Sequence, residues 1–341
     1  MTGGGGALAS AVPQSAAASA VRQWAGVFGV LPSVGAFGVL ASAPCDGPRV
    51  PRRRSRPRVP RPRDRPRFPH CPGLSCWRFP TPGLSVRSRR RSGPSGGLAL
   101  LNRIGTFPEF IAMNEDDVAI KPKTLTMAEA ASIPLVGLTA WQVLIERANL
   151  KKGQKVLVHA GSGGVGTFAI QLAKHVGATV ATTTSTANVN LVKSLGADIV
   201  IDYKKEAFES VLHDYDIVLN SLGKDTLEKS LQVLKPGGRL ISISGPPDPD
   251  FAKNLGSGWM LRLVMRLLSY SIRKKAKRRG VDYSFLFMRA NGDQLREIAS
   301  LVEEGIIRPV VDRVFPFAAT PEALAYLKRG RAKGKVIVGV R

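Results

Sequence analysis

The sequence predicts an α/β protein built on a doubly wound parallel sheet with helices on both faces. Three observations lead there. From Lys155 to Gly245, apolar runs of six to eight residues alternate with helical segments of about a dozen. A glycine-rich turn, "HAGSGGVGTFAIQLAK" (His159–Lys174), stands between the first of those strands and an amphipathic helix. The composition breaks near residue 100, so ordinary globular sequence fills only the part from there to Arg341.

The first hundred residues hold 16 Arg, no Lys, two acids (Asp46 and Asp64), 14 of the 24 Pro and all three Cys. They supply +14 of the net charge of +25, so the basic balance is not a nucleic-acid signature of the whole chain. Residues 44–97 combine proline with like charge and cannot bury a core, which predicts a disordered segment or one that is not a native domain. Exclusion of Lys argues against a nucleic-acid arm. Cys71 and Cys76 have no second pair to complete a zinc site with them or with Cys45. The apolar run Ala25–Ala43 ends in Ala-Ser-Ala, but a 24-residue lead holding only Arg22 argues against a signal peptide. An Arg-rich transit peptide is the other targeting option, and a cytoplasmic location is the expectation.

Taken in order, "GTFPEFIAM" (Gly105–Met113) alternates as a strand, and "VAIKP" adds a short one stopped by Pro122. Thr126 caps the first of two helices that meet at Pro134 and run to Leu150. Lys155–Ala160 reads as a strand, Val165–Val176 as a helix, Ala178–Thr184 as a strand and Asn188–Leu195 as a helix stopped by Gly196. Strands at Asp198–Tyr203, Tyr215–Ser221 and Gly238–Gly245 come next, with a helix over Thr226–Leu234.

Gly161, Gly163 and Gly166 satisfy G-x-G-x-x-G in the strand-to-helix setting that the motif requires. The first permits the turn, the second lets backbone approach a pyrophosphate, and the third packs helix on strand, while the helix N-terminus offers free N–H groups. An NAD site places an acid about 20 residues on, to hold the ribose 2′-hydroxyl. Here "TTTSTANVN" (Thr182–Asn190) has none before Asp198. Hydroxyls of Ser185, Thr186 and Tyr203, with Lys204, suit a 2′-phosphate, which predicts NADP(H). The missing acid also counts against a methyltransferase, despite "LKPGGRLISIS". The Tyr-x-x-x-Lys spacing at Tyr270 and Lys274 falls in a basic run and is set aside as coincidence.

"AASIPLVGLTAWQ", "GQKVLVHAGSGGVGTFAIQLAK", "LGADIVIDY", "LKPGGRLISISG", "IRPVVDRVFPF" and "GRAKGKVIV" stand in an order that resembles the zinc-independent medium-chain dehydrogenase/reductases, the quinone-oxidoreductase-like group. The resemblance runs from about Asn102 to Arg341. It implies a Rossmann domain over 127–305, joined to a GroES-like β domain of which only 101–126 and 306–341 are recognisable. It also implies hydride transfer from NADPH to an enone or quinone, a homodimer, and no specific nucleic-acid partner. By the same resemblance Thr139 approaches the nicotinamide, Gly163, Gly164 and Val165 hold the pyrophosphate, and Ser185 and Tyr203 meet the 2′-phosphate. Asn188 replaces a frequent Lys there. Leu222, Gly223, Ser244 and Gly245 line the track from adenine to nicotinamide, with Asn220 in place of a frequent Asp. Phe285 and Phe287 wall the pocket, and Lys335 lies near it.

No Cys occurs after residue 100, and His159, His175 and His213 read as structural or solvent-facing, so no metal site is expected. The family's first hundred or so residues, most of its substrate domain, are not recognisable in this chain. Residues 1–100 are expected to be a frame-shifted or mis-assembled reading of them, which would impair activity. The alternative function is a non-catalytic dinucleotide-binding or membrane-associated protein. Ser257–Gly280 is apolar, then strongly basic. It is read as a helix over the site mouth or a dimer contact, with weak membrane-surface contact as the other option.

Overall fold

The computed structural model describes residues 114–256 and 258–340 and three short strands before them. Those three are β1 (Phe37–Leu40), β2 (Leu74–Arg78) and β3 (Ser85–Arg89). The expected strand at 105–113 and the remainder of the Arg/Pro-rich segment lie outside the described residues. After them come β4 (Lys155–Val158), β5 (Thr179–Thr184), β6 (Ile199–Asp202), β7 (Tyr215–Asn220), β8 (Leu234–Ser242) and β9 (Asp282–Phe285). The chain closes with β10 (Val311–Pro316) and β11 (Lys335–Gly339).

β4 to β9 form one parallel sheet in the order β6-β5-β4-β7-β8-β9. The chain builds outward from β4 on one side, then returns to build on the other. A crevice therefore opens at the carboxyl ends of β4 and β7, where such sheets bind ligands. Side-chain alternation decides which residues face which layer. Val156 and Val158 join a core shared with helices Pro134–Trp141, Gly164–Val176 and Gly292–Glu303. Leu157, Val218 and Leu240 face the other way, toward helices Lys224–Val233 and Tyr270–Arg278. Helices on both faces confirm the doubly wound reading. A separate three-stranded sheet runs β1-β11-β10, and β2 pairs antiparallel with β3.

Local chemistry sets the helix starts. Thr126 and Glu129 form a reciprocal capping box, each side chain meeting the other's backbone N–H, ahead of helix Met127–Ala131. Pro134 occupies the first turn of the next helix, where its missing N–H costs nothing. That helix widens into a π turn at Gln142–Arg147. There Gln142 clamps the backbone of Arg289, donating to its carbonyl at 2.8 Å and accepting from its amide at 3.1 Å.

One element differs from expectation. Residues 118–120 form no strand. The carbonyls of Asp116 and Val118 lie against Gly292, so close that a Cβ there would stand 2.5 Å from the Val118 oxygen. Docking on the helix start replaces strand pairing.

Candidate functional site

The site begins where β4 ends. His159 is buried, with its ring nitrogens 3.2 Å from Thr183 Oγ1 and 2.9 Å from Ser230 Oγ. Burial pushes its imidazole down to about 3, so it stays neutral as a core residue. Ala160 then turns the chain with φ 51°, a left-handed conformation unusual for a residue with a side chain. A Cβ on Gly161 would meet the Thr182 hydroxyl, and one on Gly166 would meet the Ala160 carbonyl oxygen and the Gly161 backbone. Around Gly163 the nearest atom to such a Cβ is the Ala160 oxygen at 3.2 Å. Gly161 and Gly166 thus leave no room for a side chain, and Gly163 has one close neighbour.

Helix Gly164–Val176 starts on Gly163 without a side-chain cap. Its first N–H groups, those of Gly164, Val165 and Gly166, have no partner within the helix and sit at its positive end. The closing strand reaches across to this turn. Gly334 N–H donates to the Ser162 carbonyl at 2.8 Å, and Gly163 and Gly334 form a parallel bridge. Lys335 is buried and lines a small recess with Gly164, Thr167 and Phe168, and burial pushes its ammonium down to about 7.

The ends of β5 and β6 make the next wall. Asn188 Nδ2 donates to Ser162 Oγ at 3.1 Å and to Ser185 Oγ at 3.3 Å, and Thr184 Oγ1 donates to Ser162 Oγ at 3.1 Å. The buried Asn188 Oδ1 has no partner among the described residues. Thr186 does not face this group with a free hydroxyl, because it donates to Asp202 Oδ2 at 2.5 Å. Asp202 also accepts from Lys204 N–H and lies 3.9 Å from Lys205 Nζ. The Thr186 hydroxyl, foremost, holds its carboxyl below the usual range. Tyr203 is fixed by its amide on the Thr184 carbonyl at 3.1 Å and leaves its ring exposed beside Lys204.

On the other side of the crevice, Ser244 Oγ donates to the Leu222 carbonyl at 2.7 Å, next to Gly223, where helix Lys224–Val233 begins. Gly245 N–H donates to Ser242 Oγ at 2.8 Å, and that hydroxyl donates to Asn220 Oδ1 at 3.1 Å. Asn220 Nδ2 is buried with no partner among the described residues. Phe251 packs edge-on against Phe285 with centroids 5.2 Å apart and lies 5.9 Å from Phe287. Asp248 ties the cluster together, accepting from Phe251 N–H at 2.8 Å and from Phe285 N–H at 2.9 Å. Thr139 is buried, and its hydroxyl donates to Leu135 within its own helix at 2.6 Å.

Asp202, Asp248, Phe251 and Ser162 do not stand out in the sequence. Only Asp248 carries a signal there, an N-cap carboxylate directly before the first-turn Pro249. Among the described residues no three His, Cys, Asp or Glu side chains cluster as metal ligands. None of the helices there is long and apolar enough to cross a membrane.

Residues 195–338 match a family described as zinc-binding dehydrogenase. The mitochondrial NAD(P)H oxidoreductase RTN4IP1 of Danio rerio is 38% identical over 250 residues, covering 69% of this chain and 63% of that protein. The 2-methylene-furan-3-one reductase of Solanum lycopersicum is 37% identical over 240 residues, covering 69% and 53%. In structure, the quinone oxidoreductase of Coxiella burnetii is similar with a TM-score of 0.55 and 32% identity, over 65% of this chain and 63% of that one. The chain thus spans between about half and two thirds of the length of these relatives. With the strand order and the glycine turn, the matches make the chain similar to the medium-chain dehydrogenase/reductases, among them quinone- and enone-reducing members.

Proposed function

We propose that the chain binds NADP(H) in the glycine turn and reduces an activated carbon–carbon double bond or a quinone without zinc. The observation that carries this function is the turn at Gly161–Gly166. The Thr182 side chain closes it at the first glycine and backbone closes it at the third, whereas the second has a single close neighbour, the Ala160 oxygen, before an uncapped helix N-terminus. Asn188 Oδ1, without a partner among the described residues, would accept from a ribose hydroxyl. Hydroxyls of Ser185 and Tyr203, with the Lys204 ammonium, suit a 2′-phosphate. The names of the relatives, an NAD(P)H oxidoreductase and an enone reductase, support the same chemistry.

NADPH supplies the hydride when bound. The N–H groups of Gly164 and Val165 would hold the pyrophosphate, and Phe251, Phe285 and Phe287 would present an apolar wall to the nicotinamide. An enone or quinone delocalises the negative charge that hydride addition creates, so it needs no metal to polarise it. Water supplies the proton. His159 is held by Thr183 and Ser230 and takes no ligand role. A homodimer and a cytoplasmic location belong to the same proposal, tested by ultracentrifugation and cell fractionation.

The test is NADPH oxidation with 1,4-benzoquinone and with a simple enone, beside NADPH quenching of tryptophan fluorescence. Quenching with turnover is expected. Quenching without turnover supports the second reading, a non-catalytic dinucleotide-binding protein. No quenching overturns both.

A further inference from the structure

Between Ser257 and Val281 the chain has no Asp or Glu. Helix Trp259–Leu268 rests on the body through Met265, which is buried, and half-buried Leu261. Its other apolar side chains point away. Trp259 is 72% exposed, Leu267 68% and Met260 64%, and Leu263, Val264 and Leu268 are exposed with them. At 3.6 residues per turn these six cover about half the helix circumference. Arg262 and Arg266 stand at the flank, between that arc and the body. The next helix, Tyr270–Arg278, is anchored by buried Ile272 and Ala276 and exposes Arg273, Lys274, Lys277 and Arg278. Lys275 ties it to the body through Glu228 at 2.6 Å.

Single exposed apolar residues are ordinary, whereas six on one helix mark a contact surface. We propose that this helix pair docks the chain on an anionic lipid bilayer. A ten-residue helix is too short to cross a bilayer but long enough to lie in its interface. Trp259 and Tyr270, both exposed, have rings suited to the headgroup level. The adjoining cations meet lipid phosphates of opposite charge. A second copy of the chain fits less well, because a two-fold contact through this patch sets the same cations against each other.

The test is flotation of the full chain with vesicles of phosphatidylcholine alone and of phosphatidylcholine mixed with phosphatidylglycerol. Binding to the mixed vesicles at low salt is expected, at least about tenfold stronger than to neutral ones and weakened by salt. Leu263→Gln/Leu267→Gln removes two exposed apolar side chains while keeping helix propensity, and should lower binding by about tenfold or more. Lys274→Glu/Lys277→Glu should abolish the preference for anionic lipid. Far-UV circular dichroism and thermal unfolding of both variants should match the wild type, since all four side chains are exposed. Failure to float, or flotation of the Leu variant equal to the wild type, overturns the proposal, and the latter moves the binding elsewhere in the chain. A wild-type dimer that dissociates in the Leu variant, without lipid binding, assigns the face to a second copy. Retention on immobilised polyglutamate without lipid binding assigns it to an acidic polypeptide.

Discussion

Replacing Gly166 and Gly163 by Ala, one at a time, separates the two jobs of the glycine turn. At Gly166 the new Cβ would lie 2.7 Å from Gly161 Cα and 2.9 Å from Gly161 C, and closer still to the Ala160 carbonyl oxygen. All three are backbone atoms, so no rotamer change relieves the clash. The turn itself is already tight, with Ala160 at φ 51°. Forcing a methyl into packed space costs about 1–3 kcal/mol or more, against which the helix propensity of Ala returns at most about 1 kcal/mol. Gly166→Ala should therefore lower stability by roughly 2 kcal/mol, a fall of about 4–8 °C in Tm for a domain of this size. At Gly163 the single close neighbour is the Ala160 oxygen at 3.2 Å, and a shift of a few tenths of an ångström admits the methyl. Gly163→Ala should leave stability within about 1 kcal/mol of wild type and weaken NADPH at least about tenfold, because the methyl stands where backbone must approach the pyrophosphate. Thermal unfolding followed by circular dichroism reads the first effect and tryptophan quenching by NADPH the second. An unchanged Tm in Gly166→Ala refutes the packing argument. Wild-type affinity in Gly163→Ala refutes the cradle.

His159 gives a pH signature. Its imidazole, held to about 3 by burial against an ordinary 6.5, stays neutral in the folded chain while the unfolded chain takes up a proton below pH 6.5. Stability should fall by about 1.4 kcal/mol per unit as pH drops from 6.5 toward 3, and urea unfolding of His159→Gln should lack that slope. Asp248→Ala leaves the amides of Phe251 and Phe285 without their acceptor and should cost about 1–3 kcal/mol, read by urea unfolding. Lys204→Glu should weaken NADPH by about fivefold or more and leave NADH little changed, measured by fluorescence titration with each nucleotide. Mass spectrometry of the native protein should find no Arg-rich peptides from residues 49–91, and finding them would refute the idea that this segment is a mis-assembled reading.

Periodicity and punctuation alone determined much of this protein. The alternation from Lys155 to Gly245 sets a parallel sheet, because strands buried on both faces read as continuous apolar runs bounded by helices. The spacing of Gly161, Gly163 and Gly166 sets where that sheet turns. The Thr126–Glu129 box and Pro134 set two helix starts, because those signals act within a few residues of chain. What tertiary structure alone decided are contacts between residues far apart in sequence. Thr186 looks like a free donor in its own loop, yet Asp202 from the neighbouring strand takes its hydrogen bond. Residues 118–120 have the composition of a strand, yet Gly292 offers their backbone a closer seat. Gly334 returns from the far end of the chain to bond Ser162, bringing Lys335 against the helix start. Which face of Trp259–Leu268 is covered also depended on the fold, since a helix with apolar residues over most of its circumference does not by itself say which of them meet the body.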